Sequence, residues 1–380
     1  FAGDNFGTVV SVNGDKVLVG ASMNDEKGLN AGAAYLFGKD QGGAGNWGQI
    51  AKITAADGEA GDLFGASLRL DGDFAAIGAA FEDEKGQNAG AVYLFGKDQG
   101  STNAWGQVKK ITANDAAPLD NFGISVGLSG SVLMVGAHQN DDKGSNSGSA
   151  YIFERNLNGV NNSWGQAAKL LAIDGVSNDQ LGFAVAVYGN YAVAGARYDN
   201  HKGTNSGSAY IWQRQNDGNW EYVSKIYDPQ GDKNDQFGTV LDIYSRTVIV
   251  GSLRDDVAGK ADQGSVSLFV AGCDDNKSQG GAADDVVIGG GGNTVSAFDV
   301  TTYPQPFSDV LNIEIDLKSA DNARVSVWNA FGQQVASVYN GALQGHTILR
   351  WDAAGFASGS YFLRVEADNE TAVKSILLVR

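Results

Sequence analysis

The sequence predicts an all-β chain: a β-propeller of four-stranded blades followed by a small Ig-like β-sandwich. Three observations carry this. A glycine anchor recurs at Gly7, Gly65, Gly123, Gly182 and Gly238, with spacings of 58, 58, 59 and 56 residues. Each anchor opens a run of short alternating strands separated by turn residues, with no helical period. From Ala297 the repeat stops and a different alternation takes over. Tandem four-stranded meanders arrange radially as propeller blades.

The strands follow in order within each repeat. The first comes after the anchor, which reads Phe-Gly at Phe6, Phe64, Phe122 and Phe237 but Leu181-Gly182-Phe183 in the fourth repeat. A tight turn such as Asp71-Gly72-Asp73 leads into the second, read as VLVGAS, AAIGAA, VLMVGAH, AVAGAR and VIVGS. A polar loop precedes the third, AAYLF, AVYLF, SAYIF, SAYIW and SVSLF. The fourth opens on Trp47, Trp105, Trp164 or Trp220 and continues in patterns such as GQIAKIT. The fifth repeat, Asp228 to Cys273, lacks the tryptophan strand. Its open edge is expected to be covered by a strand from upstream of Phe1 or by residues 284–288. The opening AGDNFG matches AGDLFG at residue 60, which predicts polypeptide upstream of Phe1 and, if that holds whole repeats, a larger ring. A tryptophan at one fixed blade position is expected to pack between blades rather than form a sugar-stacking ladder.

These FG…GA repeats, over residues 1–272, resemble the FG-GAP repeat of integrin α-subunit propellers and their bacterial relatives. In integrins the corresponding face binds the partner, so the resemblance implies a binding face.

The formal net charge is −17, and residues 303–380 contribute only −2 of it, so the acidity lies in the repeats. That excludes nucleic acid and anionic membrane as partners, since both need a basic patch. No apolar run is long enough for a transmembrane helix. One cysteine, Cys273, rules out an intrachain disulfide framework. Residues 273–296 are a Gly- and Asp-rich linker with little to bury. Their four consecutive glycines lack the Gly-Lys-Ser/Thr of a phosphate loop.

Residues 297–380 read as about seven short strands, which fits a small sandwich. This segment resembles the C-terminal sorting domain of the type IX secretion system of the Bacteroidetes phylum. The likeness rests on Tyr303-Pro304-Gln305-Pro306-Phe307, Asn329-Ala330-Phe331-Gly332, Gly359-Ser360-Tyr361-Phe362 and the terminal Lys374 to Arg380. It implies passage across the outer membrane of a Gram-negative cell to its surface or beyond, with the secretion machinery as partner. The sorting signal would involve Tyr303, Pro304, Pro306, Phe307, Gly332, Gly359, Tyr361, Lys374 and Arg380, with its contacts expected at the exposed Tyr303–Phe307 turn and the last strand, Lys374 to Arg380.

In a meander, the 2–3 loops and the 4–1 loops share one end of the blade. This end collects acidic residues from every repeat. Asp, Asn and Gly at such positions form turns by capping local backbone N–H groups. Residues that break the repeat are the better site candidates: His138, Arg197, Tyr198, His201 and Arg254. Calcium is expected to be absent from the strand 1–2 turns, where VNGDK and LDGDF lack spaced carboxylates. The acidic 2–3 loops, with Asp25, Asp83, Asp141, Asp199 and Asp255, are the alternative place for it. No G-x-S-x-G elbow occurs and no carboxylate pair stands out as catalytic. The expected function is non-enzymatic binding or adhesion, through an extracellular protein or glycan ligand and without a resident cofactor. A secreted hydrolase or lyase with its pocket at the propeller channel is the rival reading. A structural subunit of a surface assembly is the third.

Overall fold

The computed structural model describes residues 3–99, 104–256, 261–271, 288–289, 298–304, 307–329, 333–368 and 370–379. Cys273, Pro306, Gly332, Arg380 and all of 273–296 except Ile288 and Gly289 lie outside them. The chain divides into two compact units, Phe1–Ala283 and Asp284–Arg380.

The first unit holds the repeats. Blade one is β1 (Phe6–Asn13), β2 (Lys16–Ala21), β3 (Ala33–Lys39) and β4 (Trp47–Ile53). Blade two is β5 (Ser67–Asp71), β6 (Phe74–Ala79), β7 (Ala91–Lys97) and β8 (Trp105–Ile111). Blade three is β9 (Ser125–Ser129), β10 (Val132–Ala137), β11 (Ser149–Glu154) and β12 (Gly165–Leu170). Blade four is β13 (Leu181–Tyr188), β14 (Tyr191–Ala196), β15 (Ser208–Arg214) and β16 (Trp220–Ile226). Blade five carries β17 (Phe237–Tyr244), β18 (Thr247–Ser252) and β19 (Ser265–Val270). Within each blade the strands pair antiparallel in chain order. The arrangement is radial. Arg69 of β5 pairs through one guanidinium nitrogen with both carboxylate oxygens of Asp242 on β17, at 2.7 and 2.8 Å. Blades two and five could not touch in a linear stack.

The middle strands of an interior blade are covered by a neighbour on each side. That is why AVYLF and VLMVGA are continuous apolar runs, buried throughout, rather than alternating. The cores lie between blades. Leu18 and Leu36 of blade one pack with Phe64, Leu68 and Leu70 of blade two. Leu94 meets Phe122 and Leu128, and Ile152 meets Leu181 and Val187, in the next two junctions. Trp164 is fully buried in the second of these cores, its ring 5.7 Å from that of Phe74.

The motif glycines mark where the blades touch. A Cβ on Gly20, Gly78, Gly136 or Gly195 would lie 1.9–2.2 Å from the carbonyl oxygen of Gly65, Gly123, Gly182 or Gly238 in the following blade. So the glycine of GA meets the glycine of the next Phe-Gly, backbone to backbone. Among the described residues this contact is not made between blades five and one. Gly7 has open space at its Cβ position, and the nearest neighbours of a Cβ on Gly251 are Val240 and Ser265 of its own blade. Phe6, Val10 and Val12 are 56, 58 and 65 % exposed, where their counterparts Phe64, Leu68 and Leu70 are at most 5 % exposed.

The second unit contains β20 (Ile288–Gly289), β21 (Phe298–Tyr303), β22 (Val310–Asn329), β23 (Gln334–Asp352), β24 (Gly359–Ala367) and β25 (Glu370–Leu378). Five strands, β21 to β25, make its sheet, not the expected seven short ones. The reason is that two strands run to 20 and 19 residues. Register shifts at Leu317/Ser319 and Ala320/Ala323 bend the β22–β23 ribbon. One half of β22 pairs with β21 and the other with β24, so a single strand serves both halves of a sandwich-like fold. Its core includes Leu311, Ile313, Ile315, Val325, Val327, Leu363 and Val365.

Candidate functional site

The shared loop end of the blades is built by short-range capping. Asp25, Asp83 and Asp141 each accept the backbone N–H five residues on, at Asn30, Asn88 and Asn146, over 2.6–2.8 Å. Asn200 does the same for Asn205 at 2.8 Å. The 4–1 loops close on a second, buried aspartate. Asp62, Asp120 and Asp179 accept the N–H three residues before them at 2.8–3.0 Å. Three of the five residues named as metal candidates, Asp25, Asp83 and Asp141, are thus turn-forming. Asp199 occupies the preceding register position and Asp255 aligns with it.

A lysine from the fourth strand then ties the two kinds of loop together. Lys110 Nζ lies 2.5 Å from Asp57, 2.7 Å from Glu82 and 2.8 Å from Glu84. Lys169 joins Asp115 and Asp142 at 2.6 and 2.5 Å. Lys225 joins Asp174 and Asp199, both at 2.8 Å, and Lys52 pairs with Glu26. Each ammonium also sits 5.2–5.5 Å from the ring centre of Tyr35, Tyr93, Tyr151 or Tyr210. Burial alone would lower the Lys110 pKa. The hydrogen bonds to Asp57, Glu82 and Glu84 outweigh that and hold it above the ordinary lysine range. Sequence reasoning passed over these lysines. The signal was there, in the Lys-Ile, Lys-Ile, Lys-Leu and Lys-Ile pairs that end the fourth strands.

One cluster departs from the repeat. His138 and Arg197 occupy the same position in blades three and four, the first residue after the second strand; Ser22, Ala80 and Leu253 stand there elsewhere. Both reach Phe183, which replaces Thr8, Ala66, Ile124 and Thr239 of the other blades. The Arg197 guanidinium lies 3.5 Å from the Phe183 ring centre and 4.5 Å from that of Tyr198. The His138 ring meets Phe183 edge-on at 5.5 Å. Gln180 accepts from Arg197 Nε at 2.9 Å. His138, Arg197 and Tyr198 therefore come together. His201 does not join them; it packs on Tyr227 at 4.2 Å. Arg254 is exposed, its backbone N–H donated to Asp235.

His138 is buried with Nδ1 unpartnered, and burial together with the Arg197 charge pushes its pKa down to about 4. The unfolded chain binds this proton below about pH 6.5 and the folded one does not. The histidine's contribution is therefore lost as pH falls from about 6.5 to 4, by up to about 3 kcal/mol. Denaturant titrations across that range should show His138→Gln losing less stability on acidification than the wild type. Equal losses would show that His138 does not titrate this way.

Sequence-family models match the chain in two regions. The FG-GAP repeat matches residues 1–37, 47–95, 105–153, 164–212 and 220–269, together more than half of the chain. The protein belongs to the FG-GAP repeat family. The secretion system C-terminal sorting domain matches residues 301–379. This FG-GAP protein is accordingly exported by the type IX route, to the cell surface or into the medium. No helix among the described residues is long and apolar enough to cross a membrane. No curated protein matches the chain. Among solved structures it is similar to dimeric latent PorU from Porphyromonas gingivalis, at 9 % identity with a TM-score of 0.18. That match covers 98 % of this chain and 32 % of the other, so this chain spans about a third of its length. At that score the likeness bears on neither shape nor function.

Within the sorting domain the motif residues divide between surface and core. Tyr303 is 40 % exposed at the end of β21 and precedes a cis peptide to Pro304. Phe307, expected in an exposed turn, is instead buried against Trp351 at 5.5 Å. Its carbonyl accepts the Val379 N–H at 2.8 Å, which seats the end of the chain. Tyr361 is buried and donates its hydroxyl to the Ala357 carbonyl at 2.8 Å. Gly359 opens β24, and Lys374 is exposed on β25. Tyr303 and Lys374 are thus surface groups, while Phe307 and Tyr361 hold the fold.

Proposed function

We propose that this protein is a non-enzymatic binding or adhesion module that engages an extracellular protein or glycan. The partner sits on the 2–3 and 4–1 loop end of the blades, centred on Phe183, Arg197 and Tyr198. The observation that supports this is the asymmetry. A face otherwise built from repeated caps and lysine–tyrosine ties carries, among the described residues, one arginine stacked on a phenylalanine, at a position where no other repeat has an aromatic residue. The loop beside it, Ala172 to Gln180, leaves Ile173 and Val176 exposed while its Gln180 fixes Arg197. Exposed apolar side chains on the loop that holds a stacked arginine are the composition of an interface hot spot.

An array of extracellular proteins and glycans probed with the full chain tests this. Arg197→Ala should weaken any hit at least about tenfold, the effect expected of a hot-spot residue. Arg254→Ala, on an exposed neighbouring loop, should leave it unchanged. Hits indifferent to Arg197→Ala would place the binding face elsewhere. A hit that is chemically consumed would favour the hydrolase or lyase reading.

A further inference from the structure

We propose that the Phe183–Arg197 cluster is a carboxylate receptor, and that its partner is a protein presenting an aspartate or glutamate beside an apolar side chain. This rests on the binding face proposed above and names the chemistry that face would recognise. Arg197 is a half-buried guanidinium in a chain of net charge −17. Among the described residues its one hydrogen bond runs from Nε to Gln180 Oε1 at 2.9 Å, and no carboxylate pairs with it. Nη1 and Nη2 have no protein partner there, yet neither is a buried atom, so both face solvent. The fourth-strand lysines of this loop end, by contrast, each meet a carboxylate.

The acids on the adjoining loops are engaged elsewhere. Asp174 and Asp199 each accept from Lys225 at 2.8 Å. Asp179 caps the Val176 N–H at 2.8 Å. Burial pushes its carboxyl up to about 6, the reverse of what an adjacent arginine would do. Burial pulls Arg197 itself below the ordinary arginine value. A partly desolvated charge without a counter-charge is costly, and an anion on a partner removes that cost.

The geometry selects the anion. Gln180 holds Nε, while the Phe183 and Tyr198 ring centres, 3.5 and 4.5 Å away, hold the guanidinium. The side chain is therefore oriented before a ligand arrives, and its open end is the Nη1–Nη2 fork. Two parallel N–H donors match the two oxygens of a carboxylate. Phosphate recognition uses clusters of arginines. Here the neighbouring His138 is kept neutral by burial and by the Arg197 charge, so the cluster carries a single positive charge. The surroundings favour a peptide over a sugar. The rings that could stack a sugar are engaged, Phe183 by the guanidinium and edge-on by His138, and Tyr198 by the same guanidinium. What the adjoining loop offers is aliphatic, Ile173 and Val176 at 65 and 52 % exposed. These would cover an apolar side chain next to the acid.

The test is binding of the full chain to immobilised short peptides with a central Asp or Glu flanked by Leu, Ile, Val or Phe. Matched Asn or Gln peptides and uronic-acid oligosaccharides are printed alongside. Acidic peptides should be bound, and their amide versions at least about tenfold more weakly, as expected when one partner of a charged pair is lost. That comparison uses the unaltered protein, so it does not depend on a variant folding. Arg197→Lys keeps the charge but not the fork, and should also lose at least about tenfold, with Tm measured to confirm that it is folded. Equal binding of acid and amide peptides, with Arg197 still required, would overturn the carboxylate inference and leave the binding face standing. Binding indifferent to both Arg197→Lys and Arg197→Ala would remove the face itself. No peptide bound above background, or Arg197-dependent binding of the uronic-acid sugars alone, would overturn the protein partner.

Discussion

Gly136→Ala should destabilise the first unit by more than about 3 kcal/mol, beyond the usual cost of overpacking. The new Cβ would lie 1.9 Å from the Gly182 carbonyl oxygen and 2.8 Å from its carbonyl carbon. Both are backbone atoms of the next blade, so no rotamer change relieves the clash. Blades three and four would have to part, opening the core around Ile152, Leu181 and Val187. Thermal unfolding should show a fall in Tm on the order of 10 °C for a unit of this size. Gly251→Ala is the matched control. It has the same motif position, but its Cβ would press on the Val240 side chain at 2.6 Å, with the nearest backbone atom, the Val240 carbonyl oxygen, at an ordinary 3.8 Å. If the two substitutions cost the same, the glycines are not setting the blade contact.

Deleting Tyr303–Arg380 should abolish export while leaving the repeats folded. The second unit has its own core, with Leu311, Ile315, Val325 and Leu363 fully buried in it. The inter-blade cores are formed by residues of the first unit alone. The truncated protein should therefore accumulate in the periplasm, with the surface and medium fractions falling to background. Fusing Tyr303–Arg380 to an unrelated periplasmic protein should send it to the surface of a type IX-competent cell. Cell fractionation and surface protease accessibility read both arms. Normal surface levels of the truncated protein would mean that the signal lies elsewhere.

Much of this architecture was legible in the sequence because it repeats. The period near 58 and the alternation gave four strands per blade, and the Phe-Gly and Gly-Ala pairs gave the anchors. Local rules also covered Asp25, Asp83 and Asp141, whose capping depends only on residues five positions away. Long-range pairings were less accessible. The tie between Lys110 and Asp57 joins residues far apart in the chain, and nothing local to either shows the other. Phe183 was visible as a departure from Phe-Gly, yet its role required knowing that His138 of the preceding blade would lie beside it. The second unit was over-divided because a bulged strand of 20 residues reads as two short ones. Phe307 was placed outside because flanking prolines signal a turn, while the edge of that turn is held in the core by the Val379 N–H.

The glycine-to-glycine approach between blades also bears on how such a chain can diverge. Neighbouring blades are gauged against each other by main-chain atoms, so the pitch of the array is indifferent to the side chains beyond the contact. A loop residue one step past Gly-Ala is then free to drift. Ser22, Ala80, His138, Arg197 and Leu253 occupy that one position in five successive blades. Recognition chemistry can be installed in a single blade, and replaced there, without recalibrating the other four.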